Sequence, residues 1–367
     1  MTQKPGDSLR TSSQPPAGRR AAARFWIIAG IALILGLLWL ASRYWGGQNF
    51  EWQRFLAVFA RLDPWWLAAS LMLSLLTYVG RAFRWRIFIR PVQPHPGLWR
   101  LFTATAIGFT AIVLFGRPGE MVRPYLIARK EGVSFSSQMA AWLLERIYDL
   151  LMALLIFGFA LSRVRASGIQ AGSRLSWVLE GGGYFVGVIG LVCVAVLVGF
   201  RMFGERGRER VFQAIEVLPD PLRLKVRGFI DAFAGGIEST KSWGAVAGVF
   251  GYSILEWVLI VACNYCIFRA LPDTAGFSLT DILIFIGFVA FGGVVQIPGV
   301  GGGVQIVTVL VLTELFGMPL EISSGMAVLL WIITFVVIVP LGLFLAFQEG
   351  LQWSKLRQIG EEGQPGK

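Results

Sequence analysis

The feature that most limits what this chain can fold into is the length of its apolar runs. Blocks of 17 to 26 residues recur along its 367 residues with few charges inside them. A helix rises about 1.5 Å per residue, so runs of this length match a hydrocarbon core roughly 30 Å thick. Only 15% of residues are charged, against about a quarter in soluble domains, while 55% are hydrophobic and the mean hydropathy is +0.65. One soluble core could not hide that much apolar surface. The chain reads as an all-α polytopic membrane protein.

The full spans are expected at Phe25 to Ser42, Pro64 to Val79, Ser137 to Leu161, Gly183 to Phe203, Trp243 to Phe268 and Ile322 to Phe347. Three apolar pieces are shorter. Leu101 to Phe115 ends in Gly116-Arg117-Pro118-Gly119-Glu120. Ile282 to Ile297 and Val304 to Phe316 flank Pro298-Gly299-Val300-Gly301-Gly302-Gly303. Short apolar pieces hinged at Gly and Pro read as broken or re-entrant helices, tolerated at membrane depth where protein or a water-filled cavity satisfies the backbone. The expectation is about six full spans plus two hairpins. Residues 1–24 form a basic cytoplasmic tail, 25–350 the membrane domain with an amphipathic cytoplasmic loop at 204–241, and 351–367 a second cytoplasmic tail.

Net charge is +11. On a soluble chain this would point to nucleic acid; here it reports topology and anionic headgroups. With both termini inside, 25 Lys and Arg fall on the cytoplasmic side and 7 outside, leaving Arg146 in the membrane. That bias agrees with the positive-inside rule. Arg81, Phe83, Arg84, Trp85 and Arg86 read as an interfacial anchor, not a nucleic-acid reader. Ile107-Gly108-Phe109 and Ile286-Gly287-Phe288 precede the two Pro-Gly turns at similar distances. They are either chance matches or the trace of an inverted repeat, a pattern that in transporters marks a midplane substrate site.

Three constellations could carry function. In the first, Arg117 to Arg123, Pro and Gly free backbone groups at a helix start. Arg117 and Arg123 could grip a phosphate bidentately, with Pro118 and Gly119 breaking the preceding helix and Glu120 orienting an arginine or carrying a proton. The plainer reading is a cytoplasmic turn whose arginines reach headgroups. In the second, Glu145 and Asp149 lie i,i+4 and Arg146 can pair with Asp149. Three ionised groups costing about 2.5–3.5 kcal/mol each at mid-bilayer should face protein. The alternative is a structural ion-pair cluster near the span's end. Glu256 is a lone acid without a local partner, either a proton-carrying site or an acid that sits neutral. In the third, the turn of Pro298, Gly299 and Gly302 with Gln305 could bind an anion through its N–H groups or simply pack helices closely. A nucleotide loop is not supported, since the Gly-Lys-Ser/Thr ending is missing. His95 is the one imidazole, and Cys263 and Cys266 read as buried small residues one turn apart. No nucleophile constellation, metal site or cofactor is expected.

These motifs carry a family resemblance. The chain resembles the lysylphosphatidylglycerol synthase transmembrane-region, or flippase-like, family: the flippase half of the multiple peptide resistance factor without its synthase domain. Arg117 to Arg123 is similar to the family's Pro-x-Arg-x-Gly-Glu-x-x-Arg stretch, Glu145-Arg146-x-x-Asp149 to its Glu-Arg-x-x-Asp, and Pro298-Gly299-x-x-Gly302 to its late Pro-Gly-Gly-x-Gly turn. Phe115 replaces a usual Pro and Gln305 a frequent Glu, which puts proton coupling through the second hairpin in doubt. The resemblance implies an inner-membrane lipid flippase or translocase whose partners are membrane lipids with an anionic headgroup. Its rivals are an accessory scaffold for a lipid-biosynthetic membrane enzyme, an ion-coupled carrier of an anionic solute, and an integral-membrane enzyme.

Overall fold

The structure, a computed structural model, describes residues 50–167, 176–202, 209, 212–216, 219–238, 242–294, 296–297 and 301–350. The chain divides into two compact units, Met1–Trp52 and Gln53–Lys367, and the second holds the helical bundle. The expected span Phe25 to Ser42 and both tails lie outside the described residues.

Helices dominate: α1 (Trp52–Ala60), α2 (Pro64–Ile89), α3 (Leu98–Phe115), α4 (Val122–Glu131), α5 (Phe135–Ser167), α6 (Ser176–Met202), α7 (Asp220–Ile237), α8 (Trp243–Ala270), α9 (Leu279–Val289), α10 (Gly303–Glu314), α11 (Leu320–Trp331) and α12 (Ile338–Gln348). Six helical stretches among the described residues are long and apolar enough to cross a membrane: α2, α3, most of α5 and α6, α8, and the α11–α12 unit. The chain is an all-α polytopic membrane protein.

Local chemistry sets the helix ends. Asp63 caps α2, its Oδ1 accepting from the Trp65 and Trp66 amides at 2.8 and 3.3 Å, with Pro64 in the first turn. Ser278 and Asp281 form a capping box on α9. The α11–α12 unit carries a π-helical segment, Ile332–Val336, just before Pro340. Proline cannot donate to the carbonyl four residues back, so the register slips by one. Hydroxyls of α2 bond to carbonyls of this segment: Ser74 Oγ donates to Ile333 O at 2.7 Å and the Tyr78 hydroxyl to Thr334 O at 3.1 Å.

One expected boundary is corrected. The span beginning at Pro64 does not stop at Val79; α2 runs to Ile89 and carries Arg81, Arg84 and Arg86 within it. Nor do Arg84 and Trp85 anchor an interface. Both are fully buried, and Trp85 Nε1 donates to Gln138 Oε1 at 2.9 Å. Arg81 and Arg84 can continue a span because they are paired inside the protein.

Both interrupted regions fold back as helical hairpins, with one correction: α3 begins at Leu98, and at 18 residues it is long enough to cross, where Leu101 to Phe115 reads as too short. Gly116 turns the chain with φ +69° at the end of α3, a one-turn 3-10 segment follows over Arg117–Met121, and α4 returns alongside α3. The return is tight. A Cβ on Gly119 would overlap the Ala111 carbonyl and lie 2.6 Å from the Ile112 nitrogen, and one on Gly108 would lie 3.1 Å from the Arg123 Cα. The second hairpin is α9, a 3-10 turn over Ala290–Val294, a two-residue antiparallel pairing (Gln296 with Gly302, Ile297 with Gly301) and α10. Helices of 11 and 12 residues are too short to cross. The matching tripeptides play different parts. Gly108 lets α3 approach α4, whereas Gly287 packs against Ala160 and Ile156 of α5.

Each hairpin sits in its own hydrophobic core. The first packs with α2, the start of α5 and α12, around Trp85, Phe88, Leu101 and Leu126. The second packs with the end of α5, the end of α8 and α11, around Phe157, Phe268, Phe285 and Leu312. Charged residues gather at the two ends of the bundle. At one end Glu131 accepts from the Gly97 amide and pairs with Arg100 at 3.2 Å, Lys130 bonds Thr103 and Glu349, and Gly236 of α7 rests on Ser137. Burial pushes the Lys130 pKa below the ordinary lysine value, and Glu349 pulls it back up. At the other end Arg61 pairs with Asp273 at 3.2 Å and the Asp63 amide donates to Ala270 O.

Candidate functional site

Between the two cores lies a cavity of about 440 Å³. Its walls come from single faces of three long helices. Ser74, Thr77, Tyr78 and Arg81 of α2 recur at helical spacing, as do Arg146, Asp149 and Ala153 of α5 and Glu256, Ile260 and Cys263 of α8. The first hairpin adds Phe109, Arg117 and Glu120; the second adds Phe285, Phe291 and Thr308. α2 and α8 run antiparallel, with Arg81 opposite Glu256 at one level and Cys263 Sγ donating to Ser70 O farther along. The cavity is therefore charged at one end and largely apolar along the rest.

The charged end is a connected network. Arg84 is its centre: Nη1 donates to Asp149 Oδ1 at 2.6 Å and Ser253 Oγ at 3.1 Å, and Nη2 donates to Glu145 Oε1 at 2.7 Å and lies 3.1 Å from Glu256 Oε2. Arg81 pairs with Glu256 at 2.6 Å. Arg146 reaches Glu145 at 3.3 Å and Asp149 at 3.2 Å. Arg123 pairs with Glu145 and lies over the Trp85 ring at 4.1 Å; Arg81 lies over Phe109 at 4.5 Å. Arg117 pairs with Glu120. Five arginines face four carboxylates, so with every group ionised the network carries one excess positive charge. The Nε–H groups of Arg81 and Arg146 are buried without a hydrogen-bond partner, and so is the Thr308 hydroxyl across the cavity. Buried donors are rarely left unpaired, since each costs about 1–3 kcal/mol.

The residues expected from sequence divide into three groups. Arg117, Glu120, Arg146 and Asp149 line the cavity. Glu145 and Arg123 stand one layer behind, and Gly119 seats the hairpin against α3. The second-hairpin residues are not gathered there. Gln305 folds back onto its own turn, accepting from the Gly302 amide at 2.7 Å, and neither residue lines the cavity; Pro298 and Gly299 lie outside the described residues. Arg123, expected in a cytoplasmic loop, is instead buried in the network. Glu256 is not alone but shared by Arg81 and Arg84. Arg81 and Arg84 are the residues that sequence reasoning passed over. A charge count could have found them: Glu145, Asp149 and Glu256 inside spans, with Arg146 alone to balance them, require two further cations from another helix.

The model of the lysylphosphatidylglycerol synthase TM region matches residues 27–342, most of the chain. The chain belongs to this family. Among similar proteins, a UPF0104 membrane protein of Methanothermobacter thermautotrophicus is 26% identical over 335 residues, covering 87% of this chain and 91% of its own length. Glycosyltransferase AglD of Haloferax volcanii is 23% identical over 280 residues, covering 72% of this chain. The match takes in 44% of AglD, so the chain spans less than half the length of that relative. No solved structure matches. As a member of this TM-region family the chain is a multi-pass membrane protein with a role compatible with lipid metabolism.

Proposed function

We propose that the chain binds a phosphate-bearing lipid, a phospholipid, glycolipid or isoprenoid lipid, in the cavity between its hairpins and moves it across the membrane. The observation that carries this reading is the set of three arginines, Arg81, Arg117 and Arg146, on the wall of a cavity that continues into apolar surface. Guanidinium forks fit phosphate well, and the arginines give this end of the cavity the charge that an anionic headgroup needs. The apolar remainder of the wall suits acyl or isoprenoid chain. The protein itself breaks no bond in this reading; the carboxylates hold the arginines in place.

Each charge-assisted hydrogen bond is worth about 1.5–3 kcal/mol. Replacing Arg81 and Arg146 together by glutamine should therefore slow translocation of a fluorescent phosphatidylglycerol in proteoliposomes by about a hundredfold or more. A variant that folds and flips lipid at the wild-type rate sinks the proposal. The similarity to AglD supports a second reading, an accessory role beside a membrane glycosyltransferase. That role requires stable co-purification with such an enzyme and no translocation by the isolated chain.

We further propose that the protein resides in the inner membrane with both termini cytoplasmic. The arginines buried in the network drop out of the sidedness count, yet a large basic excess remains on that side. The end holding Gly97, Glu131 and Glu349 then faces the cytoplasm. A cysteine at His95 should react with a membrane-impermeant maleimide only in inverted vesicles, and one at Asp273 only in intact cells. The opposite pattern reverses the topology.

A further inference from the structure

Glu256 is the one acid among the cavity-lining residues of α8, and its two oxygens are served differently. One oxygen pairs with Arg81 at 2.6 Å; the other has Arg84 at 3.1 Å without a hydrogen bond of good geometry. Arg84 is already committed, donating to Asp149, Ser253 and Glu145. Among the network acids, Glu145 keeps Arg123 and Arg84 whatever happens in the cavity, and Asp149 keeps its hydrogen bond to Arg84. Of the acids on the long helices, Glu256 alone depends for its closest ion pair on a guanidinium that also faces the cavity; Glu120 of the first hairpin is paired in the same way with Arg117.

We infer that Glu256 is a proton-binding site coupled to headgroup occupancy: an anion that takes Arg81 displaces the Glu256 carboxylate, which then takes up one proton. This rests on the proposed lipid-binding function and adds the ion exchanged with the lipid. The balance is simple. The headgroup brings one negative charge to Arg81, the carboxylate loses one by protonation, and the network keeps its charge. An ionised Glu256 left with a shared Arg84, beside Glu145 and Asp149, would be a buried carboxylate without a hydrogen-bonded counterion, which is costly. The groups that face Glu256 are Arg81, Arg84 and the Tyr78 phenol from α2, and Glu145 and Asp149 from α5; Cys263 follows two turns along α8. The neighbouring walls of α9 and α11 present Phe285, Ile286 and Leu330, which carry no charge. No other proton acceptor among the described residues is closer to the contested arginine.

The test uses the whole protein in neutral-lipid nanodiscs, titrated with dioctanoyl phosphatidylglycerol, a phosphodiester whose charge is constant between about pH 5.5 and 8. Binding is read from the fluorescence of Trp257, which lines the cavity, against a Trp257→Phe blank. Uptake of one proton per lipid makes affinity rise by up to about tenfold per pH unit as the pH falls. Glu256→Gln should bind more tightly than wild type at neutral pH and lose that slope; Glu256→Asp should keep it. A wild-type affinity independent of pH, or a slope retained in Glu256→Gln, overturns the inference and leaves lipid binding standing. Absence of saturable binding in both proteins at every pH overturns the lipid-binding function, and the proton site falls with it.

Discussion

Arg84→Met should be the most damaging single substitution in the protein. The guanidinium is fully buried and touches Glu145, Asp149 and Glu256 at once. Methionine fills much of the volume but leaves two buried carboxylates, Glu145 and Glu256, and the half-buried Asp149 short of a cation. Removing one partner of a buried ion pair costs about 3–5 kcal/mol, and here three partners are affected. The expected result is little or no monodisperse protein after detergent extraction, or a loss of well over ten degrees in apparent melting temperature. Arg84→Lys keeps the charge but cannot reproduce the fork, so it should fall between. The decisive comparison is a compensated variant, Arg84→Met with Glu256→Gln, which restores the charge balance of the network and leaves Glu145 paired with Arg123. It should recover much of the lost stability, since the penalty comes from uncompensated charge and not from volume. Equal instability of the single and compensated variants would mean that packing, not charge, makes Arg84 necessary.

The second large effect is expected at Gly119. A side chain there has no room, because the Ala111 carbonyl and the Ile112 amide already occupy the space of a Cβ. Neither backbone can yield without unwinding the end of α3, so Gly119→Val should separate the hairpin and shift Arg117 and Glu120 from the cavity wall. Overpacking of a rigid site costs about 1–3 kcal/mol or more, and the functional loss should exceed the loss of stability. Gly80 of α2 is the control, since nothing lies within 4 Å of its would-be Cβ. Gly80→Ala should be neutral or slightly stabilising, as expected for an exchange of glycine for alanine inside a helix. Thermal unfolding in detergent, paired with the translocation assay, checks both. Normal transport by Gly119→Val would show that the hairpin tip is not part of the site.

Much of the architecture is legible in the sequence because membrane burial writes long, simple signals. The runs at Trp243 and Ile322 form helices within a few residues of where hydropathy places them. The Gly-Pro interruptions mark both hairpins for the same reason. Pairing between distant helices leaves no such trace. Arg84 lies 61 residues from Glu145, and nothing in its own neighbourhood separates it from an arginine at an interface. Arginines next to tryptophan commonly mark that interface, so sequence alone puts Arg81 and Arg84 at the surface and ends α2 ten residues early. Glu256 reads as a lone acid for the same reason, its partner being on α2. The role of Gln305 is also hidden, since a capping side chain and a ligand-binding one share the same chemistry until the turn closes.

That Arg81 and Arg146 offer the cavity to a phosphate-bearing lipid is tested most directly by mass spectrometry of retained lipids. Purified wild-type protein and Arg81→Gln/Arg146→Gln would be extracted in the same detergent and normalised to protein. Enrichment of one phosphate-bearing class in wild type, and its fall to the bulk membrane proportion in the variant, is the result expected. An identical lipid profile in the two proteins, with both folded, would contradict an arginine-built lipid site.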